Sequence, residues 1–229
     1  MGGQACVFYG GAEFSRDTDL AVLAETENLG RLQCALEELQ AVAIAIPPFD
    51  AVYLEKGHAV HFRCRHPDAH RLRIDIMSTL RGVAPFPELW SRRTTFTTEN
   101  GEVYDVLSLP DLVQAKKTQR DKDWLMLRRL MEAHYFQRVE TPTKKEVVFW
   151  FRELRTAGLL LEAGQIHPGL LEETLPMRSL LKQVIRREEA ELACALTAEE
   201  NRERELDRTY WKPLKQELAT LRQQRLEKD

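Results

Sequence analysis

Apolar and polar positions alternate along the first part of the chain and recur at helical spacing along the rest. Thr18 to Leu23 reads as a strand. Leu29, Leu32, Leu36 and Leu39 then fall three and four residues apart, so residues 27–40 are expected to form an amphipathic helix. Ala41 to Ile46 is short and apolar and is stopped by Pro47-Pro48. Between His58 and Cys64, Val60, Phe62 and Cys64 take one face while His61 and Arg63 take the other. Between Arg71 and Met77, Leu72, Ile74 and Ile76 point inward and Arg71, Arg73 and Asp75 point the other way, because side chains on a strand alternate. Gly57 and His66-Pro67-Asp68 supply turns. The two strands therefore read as a neighbouring antiparallel pair with one polar face.

Glu102 to Leu107 is a further expected strand, and Ser108 with Asp111 three residues on resembles a capping box opening a helix. That helix either continues or gives way to a second one near Asp121, whose stripe is Trp124, Leu127, Leu130 and Met131, ending near Tyr135. Thr141-Pro142-Thr143 is the clearest boundary signal, dividing residues 1–140 from a helical C-terminal region over 141–229. In that region Val147, Val148, Phe151 and Leu154 form a stripe, Gly158, Gly164 and Pro168-Gly169 punctuate, and a charged helical pattern follows from about 177. Thr197 with Glu200 fits a second capping box, which predicts a helix break near Leu196-Thr197. The fold expected is α/β (α+β): a mixed sheet flanked by helices, with a helical C-terminal region.

The bulk numbers exclude some partners. A formal charge of −3 over 229 residues exerts no global pull on nucleic acid or anionic membrane. No apolar run approaches membrane-spanning length and no signal peptide opens the chain. Cys6, Cys34, Cys64 and Cys194 lack paired spacing, as expected of reduced thiols in a cytoplasmic protein. The exposed, charge-rich C-terminal helix either docks a protein partner or packs with one face and stays wet on the other.

The candidate chemistry is carboxylate chemistry. Asp17 and Asp19 are one residue apart on the first expected strand, so both side chains look into one space. Asp75 lies on the polar face of another strand. Three carboxylates converging from neighbouring strands suit one or two Mg²⁺ ions, which take oxygen ligands and bridge nucleotide phosphates. Glycines upstream let a backbone approach phosphate closely. Together these point to a site for a metal-bound nucleotide. Arg71 and Arg73, on the face with Asp75, are read equally as plain ion-pair partners or as phosphate ligands.

The chain gives Gly2-Gly3-Gln4-Ala5, then Gly10, then Ser15-Arg16-Asp17-Thr18-Asp19, with thirteen residues between the glycine pair and the first aspartate. Asp75, Leu112 with Lys116, and Arg120-Asp121-Lys122-Asp123 follow. Over residues 1–135 this resembles the DNA polymerase β-like nucleotidyltransferase superfamily, above all its AbiEii-like, toxin–antitoxin type members. The resemblance implies a Mg²⁺-dependent transferase that moves a nucleoside monophosphate from an NTP to an acceptor hydroxyl on RNA, protein or a small molecule. It implies that Gly2 and Gly3 hold the triphosphate, with Ser15 beside them. It further implies that Asp17, Asp19 and Asp75 are the catalytic, metal-binding carboxylates, Asp75 also acting as general base, and that Lys116 and, after it, Lys117 neutralise phosphate charge. The family carries a strand before Gly-Gly, whereas this sequence starts at Met1-Gly2-Gly3. From that comes a competing expectation: an N-terminally truncated, catalytically inactive relative that binds a nucleotide or a partner.

Overall fold

A computed structural model describes residues 1–227, and two compact units are distinguished in it. The first comprises Met1–Phe8, Glu13–Ala115 and the residues from Arg208 onward; the second comprises Tyr9–Ala12 and Lys116–Asp207. The chain is mixed α/β, as its patterning predicts.

In the first unit α1 (Gly2–Phe8) leads to β1 (Asp17–Ala21), α2 (Thr26–Glu38), β2 (Val42–Ala43), α3 (Ala51–Glu55), β3 (Val60–Arg63) and β4 (Arg73–Met77). The sheet order is β1-β4-β3-β2, with β1 parallel to β4 and the other neighbours antiparallel. Alternation decides its two faces. Val60, Phe62, Ile74 and Ile76 enter a core that also holds Val22, Leu36 and Leu54, with Leu29, Leu32 and Leu39 packed against it. The leucine stripe of α2 thus finds the apolar face of the sheet, and burial of these side chains, about 1.5–3 kcal/mol each, drives the pairing. The opposite face keeps Asp17, Asp19, His61, Arg63, Arg73 and Asp75.

The first unit continues through α4 (Phe86–Ser91) and a hairpin of β5 (Thr94–Thr97) and β6 (Val103–Val106) to α5 (Leu109–Ala115). The strand expected at Glu102–Leu107 has a partner, β5, that the sequence pattern did not announce. Its residues Thr94-Thr95-Phe96-Thr97 are half-buried or exposed, so they carry little apolar signal. Phe8 ties α1 to this hairpin, with its ring 5.1 Å from that of Phe96 and 5.3 Å from that of Tyr104. Ser108 caps α5 as expected: its hydroxyl accepts from the Asp111 N–H at 3.4 Å. The Asp111 carboxylate in turn receives both the Nε and an Nη of Arg92 at 2.7 Å.

The regular elements of the second unit are helices: α6 (Asp121–Arg138), α7 (Lys144–Glu153), α8 (Ala157–Ile166), α9 (Pro168–Thr174), α10 (Leu181–Arg186) and the first part of α11 (Glu189–Leu226). The stripe Trp124, Leu127, Leu130, Met131 and Tyr135 is buried, as its spacing predicts. Where the sequence places a domain boundary, Thr141-Pro142-Thr143 is a turn inside this unit, and Thr143 opens α7 with a complete capping box to Glu146. At the other end of α7, Arg178 donates to the carbonyls of Phe151 and Leu154 at 3.0 Å, satisfying groups the helix leaves open. The Glu199 carboxylate holds Arg178 and Arg155 together, at 2.6 and 2.5 Å.

One expectation is corrected. No break occurs near Leu196-Thr197; α11 runs through it unbroken. Leu192 and Leu196 are both buried, so packing carries the helix past the polar signal. The Thr197 hydroxyl donates to the Ala193 carbonyl at 3.0 Å, back along its own helix, instead of capping a new one. Residues 228 and 229, the end of the expected helical region, lie outside the described residues.

The Thr143 cap is testable. Thr143→Ala should lower unfolding free energy by about 1 kcal/mol, read from urea denaturation with an unchanged m-value. An unmoved midpoint would show that the box does not hold α7.

Candidate functional site

The site is fixed by β4, which has a strand on either side. β1 brings Asp17 opposite Arg73 and Asp19 opposite Asp75. β3 brings His61 opposite Asp75 and Arg63 opposite Arg73. Two rows of side chains therefore cross the polar face: Asp19, Asp75, His61 and, one step along, Asp17, Arg73, Arg63. Like charges directly opposite one another destabilise a sheet, yet each row contains such a pair, Asp19 with Asp75 and Arg73 with Arg63.

The strain is relieved between the rows. Arg73 Nε donates to Asp75 Oδ1 at 2.8 Å. His61 Nδ1 lies 2.8 Å from the same oxygen and donates to it when that nitrogen carries the proton. Arg73 Nη2 is 3.2 Å from His61 Nδ1, which closes a triangle of three side chains. Burial works to raise the pKa of Asp75, but the hydrogen bonds from His61 and Arg73, with their charge, outweigh it and hold the carboxyl below its ordinary range. Arg73 is correspondingly more firmly protonated, first by its hydrogen bond to Asp75 and then, against burial, by the charges of Asp75, Asp17 and Asp19.

The glycine pair lies against the same carboxylates. Gly2 has φ +65°, a left-handed conformation that favours glycine, and an added Cβ there would run into the Asp19 carboxylate. A Cβ on Gly3 would run into the Ser15 hydroxyl. The Gly3 N–H donates to Asp19 Oδ2 at 3.3 Å, and the Ser15 hydroxyl donates to the Asp17 carbonyl at 3.0 Å. Gly2, Gly3 and Ser15 thus lie against the strand that carries Asp17 and Asp19, which in turn pairs with the strand of Asp75. Gly10-Gly11 has another role: Gly10 turns the chain at φ +75°, and a Cβ on Gly11 would come 2.6 Å from the Leu130 side chain.

Lys116 and Lys117 belong to the second unit. There Lys116 Nζ is 3.3 Å from Asp123 Oδ1 and Lys117 Nζ is 2.8 Å from Glu153 Oε2. Asp123 also takes hydrogen bonds from the Thr118 hydroxyl and Arg120 Nε at 2.6 Å.

The donor set on the first unit, three carboxylates, has the hard oxygen chemistry that Mg²⁺ takes. Among the described residues, no three His, Cys, Asp or Glu side chains gather closely enough to hold a metal ion as they stand. Asp75 Oδ1 is instead taken up by Arg73 and His61. Arg73 is the ion-pair partner that its place on the face with Asp75 offers, whereas His61 is the residue that sequence reasoning did not place in the site. A signal for it exists: a hairpin symmetric about Asp68 sets His61 opposite Asp75 and Arg63 opposite Arg73 by counting alone.

The ion pair predicts an acid response. The folded-state pKa of Asp75 lies below the ~3.9 of an unfolded aspartate. Its contribution to stability is therefore present above that pH and is lost as the pH falls through the lower, folded value. Arg73→Met removes a donor and a positive charge but leaves the burial, so the Asp75 pKa should rise and acid destabilisation should begin at higher pH. Carbon-detected NMR titration of the Asp75 carboxyl reads this directly; an unmoved titration would mean that Arg73 does not set it.

No family model, curated protein or solved structure matches this chain, so a functional reading rests on the motif and on the geometry of the site.

Proposed function

We propose that this chain is a Mg²⁺-dependent nucleotidyltransferase, transferring a nucleoside monophosphate from an NTP to an acceptor hydroxyl and releasing pyrophosphate. The observation that carries the reading is the direct opposition of Asp19 and Asp75 on neighbouring strands, with Asp17 on the same face and Gly2 pressed against Asp19. An arrangement that costs stability is the kind retained where a cation is to be held.

In this reading Asp17, Asp19 and Asp75 hold the metal. Bound Mg²⁺ would neutralise phosphate charge and lower the pKa of the attacking hydroxyl. Gly2 and Gly3 let the backbone come close to the triphosphate, since neither carries a side chain to block it. Asp75 accepts the proton of the acceptor hydroxyl as its oxygen bonds to the α-phosphorus and the bond to the pyrophosphate oxygen breaks. Such a site works by positioning and by electrostatics more than by covalent chemistry. The competing reading, a non-catalytic module that binds a nucleotide or a partner, draws on the same triangle: Asp75 is already satisfied by Arg73 and His61.

The two readings separate in one assay. The full chain is incubated with each α-labelled NTP and Mg²⁺ in cell extract, and the labelled species is identified. The Asp17→Asn/Asp19→Asn variant should lose labelling by about a hundredfold or more. Labelling equal to that of the wild type would remove the metal role. Absence of labelling in the wild type, with nucleotide binding retained in both proteins, would favour the binding module.

A further inference from the structure

The second unit holds a polar cavity of its own, about 300 Å³ in volume. Arg128 and Glu132 reach it from α6, Arg155 and Thr156 from the passage between α7 and α8, and Glu200 from α11. Its cations are incompletely answered. The Arg128 guanidinium has no hydrogen bond or ion pair among the described residues. The Arg155 side chain is 6% exposed. Glu199 holds its Nη1 at 2.5 Å and Glu153 stands 3.6 Å from its Nη2, but its buried Nε finds no acceptor. Burial, and after it the charge of Arg178, hold the Arg155 pKa below the ordinary arginine value against the pull of Glu199 and Glu153.

The start of α8 adds donors. Thr156 occupies the N-cap position without capping, and its hydroxyl donates to Glu132 Oε1. The Leu160 N–H bonds to the Thr156 carbonyl, so those of Ala157, Gly158 and Leu159 have no helical acceptor. The acids keep spare capacity as well. Glu132 and Glu200 are each engaged through Oε1, by Thr156 and by Arg204, while the Oε2 of each has no hydrogen bond among the described residues.

We propose that this cavity binds a free α-amino acid, with its carboxylate on the first turn of α8 and Arg128 and its ammonium on Glu132 and Glu200. A plain anion would be drawn by the first set and repelled by the second, and a plain cation the reverse. A zwitterion answers both. Arg128 and Glu132 are four residues apart on one helix face, about 5–6 Å between Cβ atoms, a span that two charged groups on one carbon can bridge. Arg155 adds a positive field that its own partners leave partly unanswered, and a helix N-terminus favours negative charge. The rest of the wall includes Ala157, Ala193 and Leu196, which suit an aliphatic side chain. The proposal does not depend on nucleotidyl transfer or on the three aspartates, so either can fail alone.

The test uses the full chain and three probes: L-leucine, isocaproate, which lacks the ammonium, and isoamylamine, which lacks the carboxylate. Heteronuclear NMR follows the Gly158 amide at the start of α8, and calorimetry gives the affinity. L-Leucine should shift that amide saturably, and each single-charge probe should bind about tenfold more weakly. Arg128→Met and Gly158→Asp should each weaken L-leucine binding about tenfold. Nothing lies within 4 Å of the Gly158 Cβ position, and an acid in the first turn favours the helix, so Gly158→Asp should leave urea stability undiminished. Glu132→Gln keeps an acceptor for Thr156 and removes the charge, so the preference for L-leucine over isocaproate should disappear. A merely structural Glu132 would leave that preference intact, which overturns the ammonium site. Isocaproate binding as tight as that of L-leucine overturns the proposal in favour of a simple anion site. Absence of a saturable shift with L-leucine, or binding that Arg128→Met and Gly158→Asp both leave unchanged, overturns it outright.

Discussion

The register of β4 is the constraint on which the rest of the first unit depends. Ile74 and Ile76 are committed to the core with Val60, Phe62 and Leu36. Alternation then forces Arg73 and Asp75 onto the opposite face. Shifting the strand by one residue would bury both charges and expose both isoleucines, at a cost far above any gain on the polar face. The apolar core therefore places Asp75 with a precision that electrostatics alone would resist. Because β4 is paired on both edges, it transmits that placement both ways, to Asp19 on β1 and to His61 on β3.

That placement explains why the polar face is arranged as it is. Asp19 and Asp75 are brought together by hydrophobic burial on the far side of the sheet, and Arg73 and Arg63 by the same register. The cross-strand repulsions are answered along β4, by the Arg73–Asp75 contact, and across it, by His61 on the same carboxylate. The glycine pair belongs to this arrangement as well. Gly2 can adopt its left-handed backbone beside Asp19 only because it has no Cβ. Phe8, at the other end of α1, anchors that short helix through its rings on Phe96 and Tyr104. The glycine end is held directly as well, by the Met1 ammonium on the Asp19 carbonyl at 2.8 Å and the Gly3 N–H on the Asp19 carboxylate at 3.3 Å.

What the sequence made legible follows the same physics. The strands around Val60 and Ile74 and the helices carrying Leu36 and Leu130 were readable because one face of each is apolar at a clear period. The polar face could be read as polar, and Asp17, Asp19 and Asp75 could be singled out on it. Arg73, two residues from Asp75 on the same strand, was readable as an ion-pair partner; His61 was harder to see, because it depends on which strands are neighbours and in what register. β5 was hidden because Thr94-Thr95-Phe96-Thr97 buries little. The apparent break at Thr197 misled for a related reason: a capping signal is local, and burial of Leu192 and Leu196 overrode it. Lys116 and Lys117 were chosen by motif alone, and the structure gives each a carboxylate partner within the second unit, Asp123 and Glu153.

The triangle of His61, Arg73 and Asp75 can be weighed against a purely structural ion pair. Desolvating two charges offsets much of their mutual attraction, so enclosure of both partners is no gain by itself. Here the enclosure is unequal: Asp75 is shielded and doubly bonded, while Arg73 stays partly open and has the carboxylates of Asp17 and Asp19 in its field. An apolar replacement for Arg73 would leave three carboxylates on one sheet face with His61 as the remaining neighbour able to carry positive charge in those two rows besides the exposed Arg63. Asp17, opposite Arg73 on β1, meets that open side with a charge of opposite sign, so cross-strand pairing balances the face together with the triangle.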